Sequence, residues 1–304
     1  LGLGAAALAV GAAYTEIMTS VISRRRTPAT DAVIAVATGY EPAPPDPVIA
    51  ELSRALRETP METVAIRSRD NYVLRAHWYP AEGAKRTVIL VHGWHSRWYV
   101  DFSASAPFLH ENNCNLLLID QRCHGKSEGK YITFGVKEWR DMTCWVDYHN
   151  KHLGNWPVIL SGLSMGASTV MYMADEALPA NVRGMIADCG FTSPYDIIGK
   201  VFHSVTHLPV WPFLWATDLC ARIFAGFSLR STPGWSLLPC GQFTSWRSPG
   251  SIGKTGFSES KMLRSSGRFP RQCEHWLGMT AFLTRWNPPA FRPGDLLLFY
   301  LRTL

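Results

Sequence analysis

The sequence predicts an α/β fold built on a mostly parallel sheet, and two observations lead to this prediction. First, short apolar runs recur at residues 87–92, 115–120, 157–161 and 182–188. Runs without polar alternation are typical of strands that are buried on both faces. Second, longer segments with helical periodicity separate these runs. Strands that alternate with helices form parallel sheets through crossover connections, with helices on both faces.

The remaining elements follow in order along the chain. Residues 27–61 are rich in Pro and Ala and are interpreted as a linker with one short helix near residues 48–57. Alternating residues at 63–69 and 72–79 predict a hairpin that turns at Asp70-Asn71. Helices are expected between the buried strands, at residues 104–112, 134–153 and 165–177.

Residues 193–229 read as helical and are rich in Trp, Phe and Leu. Two interpretations remain open for this segment. It is either a lid over an active site or a set of ordinary core helices. Together, residues 62–230 are expected to form the main domain, with the possible lid at 193–229.

Residues 1–26 form an apolar segment that ends in Arg24-Arg25-Arg26. Its length just suffices for a membrane-spanning helix, which needs about 20 apolar residues. A secretory signal and a plain soluble helix are the alternatives. If the segment spans a bilayer, the three arginines favour a catalytic domain on the cytoplasmic side. The expected location is therefore membrane-anchored.

Charge and cysteine content exclude several classes of function. The chain carries a net charge of +6. Residues 231–304 account for all of it, with nine Lys/Arg and three Asp/Glu that are scattered among Ser, Gly and Pro. This pattern lacks the basic face of a nucleic-acid-binding module, and no nucleic-acid partner is expected. The seven cysteines form no CxxC pair, so neither a disulfide framework nor a metal site is predicted.

The strongest motif is GLSMG at residues 162–166, which fits G-x-S-x-G. It ends a buried strand and opens a helix, which is the setting of a nucleophile elbow. The tight turn strains the backbone of Ser164, so its neighbours two positions away must be Gly162 and Gly166. The Ser164 hydroxyl then stands above the sheet at a helix N-terminus, where negative charge is stabilised. Ser164 is therefore the predicted nucleophile.

His92-Gly93-Trp94 ends the first buried strand and is the expected source of an oxyanion hole. Acyl transfer develops negative charge on an oxygen, which two backbone N–H groups commonly stabilise. The predicted donors are the amides of Met165 and Trp94. A plain strand-to-helix turn is the alternative interpretation.

The run DQRCHGKSEG at residues 120–129 follows the second buried strand. Its Asp120, Arg122 and His124 resemble catalytic groups, but a structural role is expected. An Arg–carboxylate pair and a His that is bonded to backbone would fix this loop beside the site.

These motifs together resemble the bacterial α/β-hydrolases, and in particular the serine-aminopeptidase-like or lysophospholipase-like enzymes. The resemblance rests on VILVHGW, LLLIDQRCHGKSEG, the Phe134-Gly135 helix start with Glu138 and Asp141, and GLSMGAS, in this order over about residues 60–230. It implies an α/β-hydrolase fold and a Ser–Asp–His triad that cleaves an ester, thioester or amide. It implies no cofactor and no metal, and a small molecule or peptide as substrate.

Residues 231–304 depart from that pattern. The fold should continue with two further strands, whose loops carry the acid and the His. This segment contains no Val, has Ile252 as its single Ile, and offers one strand-like run at residues 296–301. The last strands of the sheet are therefore doubtful. The segment is interpreted as an atypical tail, either frame-shifted or misassembled, or else genuinely divergent.

The base and the acid of the triad consequently stay open. His275 is a candidate base, and Asp188, at the end of the fourth buried strand, is a candidate acid. The sequence predicts a serine hydrolase of esterase, lipase or peptidase type. The alternative is an impaired pseudo-hydrolase or binding protein that lacks the triad Asp and His, with membrane association possible in either case.

Overall fold

The computed structural model describes residues 21–23, 47–175, 177–207, 209–211, 213–231 and 243–244. A seven-stranded sheet, with strand order β1-β2-β4-β3-β5-β6-β7, organises these residues. The strands are β1 (Glu62–Arg67), β2 (Val73–Tyr79), β3 (Arg86–Val91), β4 (Cys114–Asp120), β5 (Val158–Leu163), β6 (Val182–Asp188) and β7 (Phe243–Thr244).

The predicted hairpin is present at one edge of the sheet. Strand β1 pairs antiparallel with β2, which pairs antiparallel with β4. Asn71 takes the left-handed conformation that the turn requires, with φ 71°. The Ser68 hydroxyl closes the turn, because it donates to the Asp70 carboxylate and accepts from the Tyr72 N–H. Strands β4, β3, β5, β6 and β7 are mutually parallel, as expected for strands linked by helical crossovers.

Helices cover both faces of the sheet, so the predicted α/β class is confirmed. Alternate residues of β3 point to opposite sides, with Ile89 and Val91 in one core and Val88 and Leu90 in the other. The helices are α1 (Pro47–Glu58), α2 (Trp98–Asp101), α3 (Ser105–Glu111), α4 (Glu138–Tyr148), α5 (Met165–Tyr172), α6 (Pro194–Thr206) and α7 (Phe213–Cys220). Residues of α4 and α5 pack in the first core, and residues of α1 to α3 pack in the second.

Helix α4 begins four residues later than the periodicity predicted. Phe134 and Gly135 both have positive φ, of 53° and 93°, which no α-helix tolerates. The Glu138 carboxylate holds this turn, because it accepts hydrogen bonds from the N–H groups of Thr133 and Gly135. Helix α5 is also shorter than expected and ends in a 3₁₀ turn, Met173–Asp175.

Within the tail, Phe243 and Thr244 form the short strand β7, which pairs parallel with Met185 and Ile186 of β6. These two residues lie outside the strand-like run at residues 296–301. Residues 232–242 and 245–304, including His275 and Asp295, lie outside the described residues, as do 1–20 and 24–46.

The described residues contain no helix with the length and hydropathy that crossing a bilayer would require. The N-terminal segment was the proposed anchor, and only its residues 21–23 are described.

Candidate active site

Ser164 stands at the turn between β5 and α5, as the motif predicts. Its backbone has φ 54° and ψ −114°, a strained conformation for a residue other than Gly. The surrounding chain holds it there. The Ser164 N–H donates to the Asp188 carbonyl at 2.8 Å, and its carbonyl accepts from the Ser168 N–H at 3.1 Å. The side chain is half-buried, so the hydroxyl is anchored by its backbone and remains accessible.

Both glycines of the motif are required by close backbone contacts. A Cβ on Gly162 would lie 2.3 Å from the carbonyl group of Gly166. A Cβ on Gly166 would lie 1.9 Å from the Val91 carbonyl oxygen. Helix α5 therefore touches the end of β3 directly, and only two glycines allow that approach. The steric argument made from the sequence is correct.

Two backbone amides beside Ser164, those of the predicted donors Met165 and Trp94, are bonded to no acceptor among the described residues. The Met165 N–H is at the first position of α5, where an N–H has no acceptor within its own helix. In the loop after β3, the Gly93 N–H donates to Asp101 at 2.6 Å and the His95 N–H donates to His124 at 3.0 Å. The Trp94 N–H between them is bonded to no group among the described residues.

Asp101 fixes this loop, and the sequence reasoning missed it. One of its carboxylate oxygens accepts from the Gly93 N–H, and the other accepts from the Ser96 hydroxyl. The position where a Cβ on Gly93 would stand is 3.3 Å from Asp101 and 3.4 Å from the Ser164 Cβ, so the loop lies against Ser164. No local pattern signalled this contact, because eight residues separate Gly93 from Asp101.

His92 and His124 lie under the loop and serve its backbone. His92 accepts from the Gln121 N–H at 3.2 Å and faces the Gly93 carbonyl at 2.8 Å. His124 accepts from the His95 N–H and faces the Arg122 carbonyl at 2.9 Å. Those partners assign the ring proton to Nδ1 in each histidine. Burial lowers the pKa of both rings, that of His124 well below its ordinary value. Both are therefore neutral, with both ring nitrogens occupied.

Arg122 and Asp120 have the structural roles that the sequence predicted. The Arg122 guanidinium binds Asp141 through two hydrogen bonds, at 2.6 and 2.7 Å, and also binds Asp70 at 2.7 Å. The Asp120 carboxylate accepts from the Lys126 N–H at 2.9 Å. Burial opposes ionisation of Asp120, but the His77 ring, 3.9 Å away, and the hydrogen bond from the Lys126 N–H prevail and lower its pKa.

Of the two candidates for the acid and the base, Asp188 is among the described residues and His275 is not. Asp188 is buried at the end of β6, level with Leu163 of β5, and its carbonyl holds the Ser164 N–H. Its carboxylate accepts from the Cys189 thiol at 3.1 Å. His275 lies outside the described residues. Among the described histidines, none is hydrogen bonded to the Ser164 hydroxyl.

The N-terminal turn, residues 21–23, also reaches the site. The Trp94 indole N–H donates to the Val21 carbonyl at 2.8 Å. The Ile132 N–H donates to the Ile22 carbonyl at 2.6 Å. Val21 packs in one apolar cluster with Met165. Nothing in the sequence pattern signalled this contact, because more than seventy residues separate the two sides of the indole bond.

Helices α6 and α7 occupy the segment interpreted as either a lid or core helices. Ile197 and Ile198 of α6 pack against the buried cluster that contains Met165, as does Trp94. On α7, Leu214 is buried, while Trp215 is 60% exposed.

Comparison with known proteins agrees with this geometry. Residues 82–221 match the model of the family described as Serine aminopeptidase, S33, an α/β-hydrolase family. The matched segment contains the HGW loop, the DQR loop and GLSMG, so the resemblance inferred from these motifs is confirmed.

Individual proteins are similar over parts of the chain. The uncharacterized protein YqkD of Bacillus subtilis (strain 168) is 26% identical over 169 residues, which is 54% of either chain. The chain thus spans about half the length of this curated relative. The esterase Pf2001 of Pyrococcus furiosus is 26% identical over 57% of this chain and 65% of its own, with TM-score 0.44. An alpha-beta hydrolase from Vibrio vulnificus is 17% identical over 80% and 82%, with TM-score 0.47.

Proposed function

We propose that this chain, whose core is an α/β-hydrolase domain, is a serine hydrolase that cleaves an ester, thioester or amide through an acyl-enzyme on Ser164. The observation that carries the proposal is the elbow. Ser164 has φ 54° between β5 and α5, with Gly162 and Gly166 in backbone contact on either side. Strain of this kind persists only where surrounding structure enforces it, and such sites are commonly functional.

The proposed reaction has two halves. A histidine removes the proton of the Ser164 hydroxyl while the oxygen attacks the substrate carbonyl carbon, and the carbonyl oxygen becomes an oxyanion. The N–H groups of Met165 and Trp94 stabilise that charge. The oxyanion collapses, the leaving group departs with the proton, and water then hydrolyses the acyl-enzyme by the same steps.

The bonding of the loop supports Trp94 as the second donor. Asp101 and His124 engage the N–H groups on either side of it, which fixes the peptide planes and leaves the Trp94 N–H available. A fixed donor needs no reorganisation when the charge develops. Removing one such donor typically costs about 10²–10³ in rate.

A fluorophosphonate tests the nucleophile without knowledge of the substrate, because it reacts with an activated serine. Labelling of the full chain is expected at Ser164 and should be abolished in Ser164→Ala. Ser168→Ala is the matched control, since the Ser168 hydroxyl is buried and bonded to the Phe191 carbonyl at 2.9 Å. Labelling that survives Ser164→Ala would refute the assignment.

A second candidate is an impaired hydrolase, and one observation favours it. The two histidines beneath the oxyanion loop, His92 and His124, use both ring nitrogens in backbone contacts. The base must therefore come from elsewhere, and His275 is the candidate that the tail offers. A site without a base still accelerates the reaction about 10³–10⁴-fold over water. Normal p-nitrophenyl ester turnover that falls in His275→Ala would exclude the impaired form, whereas residual turnover that is unchanged in His275→Ala would favour it.

The tail and the N-terminus extend the proposal. Residues 231–304 are proposed to be frame-shifted, which predicts that another reading frame of the coding DNA encodes a strand followed by an HG-x-x-D pattern.

Residues 1–22 are proposed to anchor the chain in a membrane. Recovery of the full chain in membrane fractions after carbonate extraction is expected, and a wholly extractable chain would contradict the anchor.

A further inference from the structure

The outward side of α7 and of the turn after it carries large apolar side chains. We call them the apolar stripe: Trp211, Trp215, Leu219, Ile223 and Phe224, which are 74, 60, 43, 66 and 67% exposed. Four of them, Trp211, Trp215, Leu219 and Ile223, recur every four residues, and the last three lie in the helical segment 213–225, where this spacing brings side chains to one face. Soluble monomers rarely expose a contiguous patch of such residues, and patches of this kind mark binding surfaces.

The positions of the charged side chains of α7 are compatible with contact to lipid headgroups. Asp218 is turned inward, where it accepts from the Leu229 N–H at 2.6 Å and the Ser228 hydroxyl at 2.8 Å. Arg222 is bonded to that carboxylate, yet its side chain is 56% exposed beside the stripe. The outward face thus presents Trp, Leu and Ile with a cation and no anion. Side chains of this composition favour the boundary between lipid headgroups and acyl chains.

The N-terminal turn brings the apolar N-terminus to the same part of the molecule. Val21 and Ile22 pack in one cluster with Ile198 of α6. Ile198 also packs against Ala221 and Ala225, which follow α7. The apolar residues 1–20 directly precede this turn in the sequence.

We propose that the apolar stripe docks on the surface of a lipid bilayer, as a second contact beside the N-terminal segment. The inference rests on the membrane association of the proposed function.

Fluorescence quenching tests the contact residue by residue. The full chain is mixed with vesicles of phosphatidylcholine and phosphatidylglycerol whose acyl chains carry bromine, which quenches nearby indoles. Trp215→Phe is compared with the matched control Trp156→Phe. Trp156 is 38% exposed and precedes β5, at the end of the sheet opposite Ser164. Trp215→Phe should remove part of the quenchable emission, and Trp156→Phe should remove only unquenched emission.

Vesicle flotation separates the stripe from the N-terminal segment. The triple variant Trp215→Gln, Leu219→Gln, Ile223→Gln keeps residues 1–20 and should bind vesicles about 10-fold more weakly than the wild type. The control pair Val48→Gln and Ile49→Gln, which are exposed on α1, should leave binding unchanged.

Two other results would contradict lipid docking by the apolar stripe. Equal quenching in both tryptophan variants, with flotation intact, would leave the N-terminal anchor standing and refute the docking. Sedimentation that shows a dimer lost in the triple variant, without an effect of vesicles, would assign the stripe to a second copy of the chain. Fluorophosphonate labelling of Ser164 proceeds without vesicles, so a failure of the hydrolase proposal is recognised independently.

Discussion

Adding one methyl group at the elbow, in Gly166→Ala, should damage both stability and activity. The new Cβ would lie 1.9 Å from the Val91 carbonyl oxygen and 2.7 Å from that of His92. Real Cβ atoms essentially never come within 3.0 Å of such atoms, so α5 or the end of β3 must move by about 1 Å. Because the obstacle is backbone, no side-chain rotation relieves it.

The expected losses follow from that displacement. Overpacking of a well-packed interior costs about 1–3 kcal/mol, and a backbone obstacle places Gly166→Ala at the upper end, about 3 kcal/mol. A nucleophile that is misplaced by about 1 Å can lose about 10²-fold in rate. Urea unfolding measures the first quantity, and the initial rate of fluorophosphonate labelling of folded protein measures the second.

Gly199→Ala is the matched control, because it adds the same methyl group in a different setting. Its Cβ would lie 3.3 Å from side-chain carbons of Val210 and Leu214, which can shift. Within a helix the change also favours folding by about 0.5–1 kcal/mol. Stability should therefore change little, and labelling should not change. If Gly166→Ala matched this control in both assays, the contact between α5 and β3 would be wrong.

Three further outcomes are expected. Burial lowers the pKa of His92 and His124 below its ordinary value, so the unfolded chain binds more protons than the folded chain once the pH drops below about 6.5. The free energy of unfolding should therefore decrease as the pH falls from about 6.5 to about 5.5. A flat profile in urea unfolding over that range would contradict this. Arg122→Met leaves the buried Asp141 carboxylate without its cation and should lower the free energy of unfolding by about 3–5 kcal/mol. The double variant that adds Asp141→Leu should recover part of this stability. Additive losses of stability would disprove the pairing. Trp94→Phe keeps an aromatic ring and the backbone amide but loses the hydrogen bond from the indole to the N-terminal turn. Labelling of Ser164 should slow by about 3- to 10-fold in this variant, and also after deletion of residues 1–23. An unaltered rate in both variants would show that the turn does not support the loop.

The central sheet and the elbow were open to prediction from local sequence. A short run such as LLLID is typical of a strand that is buried on both faces, and β4 is buried along its whole length. Gly-x-Ser-x-Gly between such a strand and a helix specifies the turn, because two glycines are what permit the close backbone approach seen at Gly162 and Gly166. Information of this kind lies within a few residues, so the sequence alone determined the fold class and the predicted nucleophile.

Tertiary structure decided what depends on residues far apart in the chain. The roles of His92 and His124 followed from backbone groups that only the folded loop brings to their rings. The Trp94 contact with the N-terminal turn spans more than seventy residues, and β7 pairs with a strand that lies more than fifty residues earlier in the chain. Helix α4 starts late because the Glu138 side chain binds the preceding turn, a competition that periodicity does not register. Hydrophobic period and steric fit are local properties that a sequence carries, whereas hydrogen-bond partners are assigned only when the chain has folded.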